Sequence, residues 1–422
     1  MFAPYSAGQE RRAPHSARVT EGDPGRQRFL AYRVPVTTNH IYEFAVIGGG
    51  LFGAAAARHL AKAGHDVALL APPEPEDRPS HRGVFASHYD EARITRTLDV
   101  DPLWSELARA SIGRYAEIEA ESGIAFHTSN AYLGVGAPGS DFLKASTAVG
   151  DAAGSTFEHL SAPDFTRRLA FLKFHPGFEG FIENGPAGHI NPRALVRAQR
   201  AAAEAAGATL LPRIAVQVTD AIDAVDMMMD DGQRTLARRA LVTAGAFANE
   251  LLIRPLDLQV QGRTMVFARL NGRQQVELAG MPSIIHSPPE GSASYLLPPI
   301  RYPDGQTYVK IGMDDWDNPL NTNEAISAWF RSEQGDPLEA LAADDALRAM
   351  IPSLQNAPRH TSNCVYTVTA TKHPYVGMVS ERLAVAVGGN GKGAKSSDEI
   401  GRLGAAVLQG ETIDERLMPQ FS

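Results

Sequence analysis

Phe44-Ala45-Val46-Ile47-Gly48-Gly49-Gly50-Leu51-Phe52-Gly53-Ala54-Ala55-Ala56-Ala57-Arg58-His59-Leu60 decides how the rest of the chain is read. The apolar run Phe44–Ile47 has the continuous hydrophobicity of a strand buried on both faces, and an alanine-rich helical segment follows it directly. Between them Gly48, Gly50 and Gly53 spell G-x-G-x-x-G. In that setting the first glycine admits a tight turn, the second lets backbone N–H groups approach a pyrophosphate, and the third lets helix and strand pack closely. The helix N-terminus then directs its partial positive charge at the phosphates. Strand before and helix after raise this short motif above a glycine-rich turn without a ligand. The stretch predicts a dinucleotide site.

The next strand departs from the usual fingerprint. Asp66-Val67-Ala68-Leu69-Leu70-Ala71 ends in Ala71, where a dinucleotide site normally carries an acid for the ribose hydroxyls. Pro72-Pro73-Glu74-Pro75-Glu76-Asp77 follows. Either Glu74 takes over that role, or the hydrogen bond is absent.

Composition narrows the class. With 422 residues, the chain has room for two domains or one with large insertions. It is 44% hydrophobic and 21% charged, ordinary for a globular protein, and its net charge of -8 argues against a nucleic-acid partner. No uninterrupted apolar span reaches membrane length, and the N-terminus lacks the apolar core of a signal peptide. The single cysteine, Cys364, excludes an internal disulfide framework and a cysteine-based metal cage, so no metal is expected and a cytoplasmic setting is the default.

Residues 1–40, rich in Arg, Pro, Gly and Ser, read as a mobile arm or a misassigned start. A strand is expected over 43–48, a helix over 52–63 ended by Gly64, and a helix capped by Asp101 with Pro102 in its first position. Trp104, Leu107, Ala108, Ser111, Tyr115 and Ile118 form that helix's inner stripe. Another capped helix runs from Asn191-Pro192 to Gly207, with strand-like segments at 209–218 and 221–229. Leu241–Ala246 reads as a buried strand ending in a small-residue turn suited to close packing against a dinucleotide. Sheet is expected at Val260–Leu270, Ser294–Leu297 and Thr307–Gly312, and helix after Asn323. Cys364–Thr369 alternates like a strand, Leu383–Gly388 reads as a buried one, and Gly389–Ser397 opens a last helix near Asp398–Leu408. Dinucleotide-type elements thus alternate with sheet-type blocks. Two discontinuous domains fit this order.

Four motifs now stand in sequence: the Gly48–Gly53 loop, S-H-x-D-x-x-R-I-x-R at Ser87–Arg96, C-x-Y-T-x-T at Cys364–Thr369, and G-N-G-K-G-x-K at Gly389–Lys395. In this order, from about Tyr42 to the C-terminus, the chain resembles the flavoprotein amine oxidases of the monomeric sarcosine oxidase type, within the D-amino acid oxidase superfamily. The first motif is shared by many flavoproteins; the last two together are far more specific. The resemblance implies FAD rather than NAD, and an α/β fold: a Rossmann-like FAD-binding domain (41–124, 186–256 and 359–422) with a discontinuous, mixed-sheet α+β substrate domain (125–185 and 257–358). It implies a monomer or small homo-oligomer working on a small-molecule amine and dioxygen.

Residue by residue, the resemblance places Cys364 where the family's cysteine is linked through sulfur to the flavin 8α-methyl carbon, although a lone cysteine is ordinarily an inert small hydrophobe. Lys310, which by itself reads as a charge on a strand edge, falls where the family holds a cation over the flavin ring to favour electron transfer to oxygen. Arg96 and Lys395 resemble the pair that binds the substrate carboxylate; an ion pair with Asp90, Glu91 or Asp398 is the plain alternative. His88 and Arg93 match residues flanking the isoalloxazine ring, with one residue more between them than in sarcosine oxidase. Gly48, Gly50, Leu51, Phe52, Gly53, Val216, Ala244, Gly245, Gly389, Gly391, Lys392 and Gly393 complete the expected cofactor contacts.

Two departures bear on the substrate. Four residues beyond Lys310 stands Asp314 in place of the sarcosine enzymes' histidine, closer to the fructosyl amino acid oxidases. Lys392 replaces another histidine in the last glycine-rich turn. The expected reaction is oxidation of a carboxylate-bearing secondary or primary amine to an imine by hydride transfer to flavin N5, with dioxygen reduced to hydrogen peroxide. The alternatives are a dehydrogenase of the same fold passing electrons to a quinone or protein acceptor, and a flavin-binding biosynthetic component without amine turnover.

Overall fold

The computed structural model describes residues 40–314 and 316–422. The arm expected over 1–40 lies outside them except for His40. Strand β1 (Ile41–Ile47) runs parallel to β2 (Val67–Leu70) on one side and to Arg234–Val242 on the other, Val46 facing Leu69 and Leu241. Helix α1 (Leu51–Lys62) covers this sheet, and Gly64, with φ +87°, ends the turn that follows it. Its alanines allow close approach: a Cβ on Gly401 of the C-terminal helix Ser397–Leu408 would stand 2.5 Å from the Ala55 methyl carbon. The eight-stranded sheet also takes in Thr209–Leu211, the antiparallel pair Ala215–Asp220 and Val225–Met229, and, beside Arg234–Val242, Leu383–Val387 with Tyr375–Met378. Its central strands are parallel, and their adjoining segments Phe44–Ile47, Val67–Leu70 and Ala240–Val242 are apolar, as sheets covered on both faces require.

A second eight-stranded sheet is mixed, in the order Arg359–Thr369, Leu258–Arg269, Thr307–Met313, Ser294–Arg301, Ser283–Ser287, Tyr132–Gly136, Glu179–Glu183, Phe157–Leu160. The fold is therefore α/β, with a Rossmann-like parallel sheet joined to a mixed one. Arg359–Thr369, which the sequence groups with the dinucleotide-binding part, is paired along its length with Leu258–Arg269 in the mixed sheet. One face of the mixed sheet is closed by Val266, Ala268, Val309, Ile311 and Leu296, packed with Ala343 and Leu347 of the helix Pro337–Met350.

A small sheet joins β3 (Arg93–Thr95) to Gly188–Ile190 and His127–Ser129. The helix expected after Asp101 is two helices, α2 (Pro102–Ile112) and α3 (Tyr115–Ser122), because the chain turns at Gly113 and Arg114. Asp101 accepts from Leu103 and Trp104 N–H, as its capping role requires. No described helix is long and apolar enough to cross a membrane, and no group of three or more His, Cys, Asp or Glu among the described residues could hold a metal ion.

Candidate active site

The glycine loop is built as its spacing predicts. Gly48 has φ +104°, and a Cβ there would stand 2.8 Å from the Thr243 carbonyl oxygen; a Cβ on Gly53 would stand 1.8 Å from Gly48 O. Gly50 is different: the nearest atom to its Cβ position is His88 Nδ1, at 4.0 Å. The loop is thus tight against the protein at Gly48 and Gly53 and open at Gly50, the position that must approach a pyrophosphate. Gly50 also caps α1 without any side-chain hydrogen bond, which leaves the helix's first N–H groups to an outside acceptor. Thr243, which the motif does not reveal, fixes the loop by donating to Ile47 O at 3.1 Å and Gly48 O at 2.6 Å. Ala244 and Gly245 follow it, with Ala244 Cα 3.1 Å from the Gly48 Cβ position.

His88 faces this loop. Its Nδ1 is buried without a hydrogen-bond partner. Burial, and then Arg200, Arg193 and Arg93, push its pKa down to about 3, so the imidazole is neutral at pH 7 among guanidinium groups. Arg193 and Arg200 lie two helical turns apart on the helix Pro192–Ala205. Arg200 donates to Gly49 O at 2.6 and 3.0 Å beside Ala71, and Arg193 grips Glu74 at 2.7–3.1 Å. Glu74 is therefore engaged by an arginine, and a second arginine stands beside the position where the fingerprint places an acid. An unpartnered buried nitrogen, an uncapped helix and a cluster of arginines together fit a phosphate-bearing cofactor such as FAD.

The mixed sheet presents its other face to the same region. Directly opposed residues share a face, so the registers Arg263 with Cys364, Phe267 with Lys310, Leu297 with Lys310 and Tyr295 with Gly312 place all of these side chains together. Lys310, 1% exposed, donates to Asp90 at 2.6 Å and to Ala92 O at 2.5 Å. Asp90 also pairs with Arg93 and accepts from Tyr302 OH at 3.0 Å and Glu91 N–H at 2.7 Å. Cys364 is half-buried, its Sγ 3.7 Å from Met265 Sδ, and Trp329 Nε1 donates to its carbonyl at 2.9 Å.

A second buried carboxylate organises the remaining cations. Asp99 is fully buried, with Arg96 at 3.0 Å, Lys392 at 2.6 Å and Lys395 at 3.2 Å. Burial alone would raise its pKa, but Arg96, Lys395 and Lys392 overcome this and hold it far below the ordinary carboxylate range. Burial pushes Lys395 down to about 8, against the pull of Asp99. Arg96 also lies 5.0 Å over the Tyr132 ring, and Lys395 lies 5.8 Å over Trp104. The partner of Arg96 and Lys395 is thus Asp99, not the Asp90, Glu91 or Asp398 of the plain alternative.

The two C-terminal motifs are tied to each other. Asn390 N–H donates to Thr367 O at 2.7 Å, its Oδ1 accepts from Thr369 N–H at 3.0 Å, and Gly389 N–H donates to Thr367 Oγ1 at 3.1 Å. Phe52 links this turn to the glycine loop, lying 3.0 Å from a Cβ on Gly393 and 3.9 Å from one on Gly389. A Cβ on Gly391 would stand 4.0 Å from the Tyr366 ring. Leu51 and Ala394 both pack against the cluster that holds Tyr115, Ile118 and Leu195. Val216 stands apart from these groups, 48% exposed on the strand Ala215–Asp220. Asp314 is exposed just past Met313, and its backbone oxygen accepts from Arg263. Asp99, Arg200 and Arg263 are site groups that the sequence motifs did not single out, and Asp90, though it stands in the Ser87–Arg96 motif, was given no role there beyond a plain ion pair. Only the two-turn spacing of Arg193 and Arg200 left a readable trace.

Comparison with known proteins accords with this geometry. An uncharacterized oxidoreductase, YurR, of Bacillus subtilis (strain 168) is 27% identical over 227 residues, spanning 52% of this chain and 58% of that relative's length. NikD, an unusual amino acid oxidase essential for nikkomycin biosynthesis, superposes with TM-score 0.73 at 21% identity over 90% of this chain and 98% of its own. Amadoriase I, a fructosyl amine:oxygen oxidoreductase of Aspergillus fumigatus, gives 0.70 at 20% identity over 91% and 90%. Residues 43–407 match the family of FAD dependent oxidoreductases. With the glycine loop, the arginine-lined imidazole and the paired sheets in place, the chain belongs to that FAD-dependent oxidoreductase family.

Proposed function

We propose that this FAD-dependent oxidoreductase converts a carboxylate-bearing secondary or primary amine to an imine, with dioxygen as the electron acceptor. The observation that carries the reading is the convergence of Arg96, Lys392 and Lys395, from two remote segments, on one buried position. These three cations outnumber Asp99, so the position retains positive charge to offer a substrate carboxylate. Arg96 supplies a planar fork, and the lysines supply point charges. The reading is also supported by fold relatives whose names describe amino acid and fructosyl amine oxidation.

In this reading Arg96 and Lys395 orient the amine by its carboxylate, which converts an encounter into a held geometry. Bound FAD supplies the two-electron acceptor chemistry. The amine binds unprotonated and no protein base is required; His88 stays neutral and serves as a hydrogen-bonding neighbour of the cofactor. Lys310 holds a positive charge where negative charge builds on dioxygen. We further propose that Cys364, on the same sheet face as Lys310, carries the flavin covalently. Intact mass after denaturation tests this: the bare-chain mass contradicts it.

Anaerobic mixing with amines tests the main reading. Bleaching of the flavin by an N-alkyl amino acid, a cyclic imino acid or a glycated amino acid is the expected result. A dehydrogenase of the same fold, passing its electrons to a quinone or protein acceptor, is the second reading. Peroxide formation in air separates the two.

A further inference from the structure

We propose that Asp90 is the positioning residue that keeps Lys310 charged and fixed at the site face of the mixed sheet, and thereby sets the enzyme's reactivity with dioxygen. The inference rests on the role given to Lys310 above. Four donors enter the Asp90 carboxylate: the Lys310 ammonium, the Arg93 guanidinium, Tyr302 OH and Glu91 N–H. Asp90 is 4% exposed and Lys310 1%, so water does not solvate the pair. Besides Asp90, Lys310 Nζ donates to a neutral acceptor, Ala92 O.

A buried ammonium in such surroundings keeps its proton only if a carboxylate compensates its lost hydration. The groups facing Lys310 come from several elements. The segment before β3 supplies Asp90 and Glu91, and β3 itself Arg93; Arg359–Thr369 supplies Cys364; Gly188–Ile190 supplies His189; and Tyr302 reaches it through Asp90. Burial, and then Arg93, push Lys310 well below the ordinary lysine value, while Cys364 and Glu91 pull it back only in part. Asp90 lies closest of all, at 2.6 Å. Together Asp90, Lys310 and Arg93 carry one net positive charge. Removing Asp90 therefore does not liberate a cation. It lets Lys310 shed its proton near neutral pH, and the charge that assists dioxygen is lost.

The test compares the holoenzyme with Asp90→Asn, Asp90→Glu and Lys310→Met, each reduced anaerobically with dithionite and mixed with oxygenated buffer. The wild-type reoxidation rate is expected to change little between about pH 6 and about pH 8. Asp90→Asn is expected to be slower by about 100-fold at the upper pH and to recover as pH falls, because protonation restores the lysine charge. Asp90→Glu retains most of the rate, and Lys310→Met is slow throughout. A readout independent of flavin is the Lys310 ε-carbon resonance in apoprotein made with carbon-13 lysine and assigned by its loss in Lys310→Met. It is expected to titrate at lower pH in Asp90→Asn. Asp90→Asn reoxidation that is slow at every pH, or unchanged at every pH, overturns the proposal, as does an unshifted resonance. If Lys310→Met reoxidises as fast as wild type, the assignment of Lys310 itself fails, and the resonance alone decides whether Asp90 controls its charge. Asp90→Ser is read the same way should the asparagine variant not accumulate.

Discussion

Asp99 fixes three cations that could not otherwise share one buried position. Deleting one partner of such a cluster leaves uncompensated buried charge, so Asp99→Asn is expected to destabilise the fold by about 3–5 kcal/mol, measured by urea unfolding. A second effect is specific to function. Lys395, held near pH 8 by burial with Asp99 opposing, loses its charge as pH rises past about 8. The KM for an anionic amine is therefore expected to climb above that pH in the wild type, and to begin climbing at lower pH in Asp99→Asn. A KM independent of pH in both proteins would remove Lys395 from the carboxylate site. Asp99 was not legible as a site anchor, and Asp90 stood in the Ser87–Arg96 motif only as a plain ion-pair alternative. A lone acid in a polar segment gives no pattern of its own, and its importance comes from lysines and arginines that the chain delivers from far away.

At the scale of elements, local chemistry was far more readable. The apolar run of β1, the glycine spacing and the alanines of α1 each state their geometry locally, and the strand and helix boundaries fall within a residue or two of those expected. The single helix expected after Asp101 was misread because the apolar stripe continues through Gly113, where the backbone turns but the buried face does not. Gly48→Ala forces a side chain into φ +104° and against Thr243 O. It is expected to cost more than about 1 kcal/mol in urea unfolding of the apoprotein and to lower flavin content after purification. Wild-type flavin content in that variant would contradict the cofactor role of the loop. Asn390, at φ +46°, clamps the turn to Thr367 and Thr369. Asn390→Ala is expected to lose about 1–3 kcal/mol, seen as a lower thermal midpoint.

The described residues form two large sheets and one small one, and the proposed site draws its groups from both large sheets. The glycine loop and arginines sit on the parallel sheet and its helices; Cys364, Lys310 and Arg263 sit on the mixed sheet. The fold class was readable because the parallel strands end in continuous apolar runs, Phe44–Ile47, Val67–Leu70 and Ala240–Val242, whereas the mixed sheet's strands alternate. Which face each alternating strand turns to the site depends on register, and register is a property of pairs. That is why Lys310 by itself reads as an edge charge, although in the fold it lies between Phe267 and Leu297 on the site face. The measurement that tests the account most directly is anaerobic reduction of the purified holoenzyme by N-alkyl, cyclic and glycated amino acids, followed by admission of air. The account predicts that at least one carboxylate-bearing amine bleaches the flavin, and that air restores its colour with formation of hydrogen peroxide. A flavin bleached by dithionite but by none of these amines would contradict it.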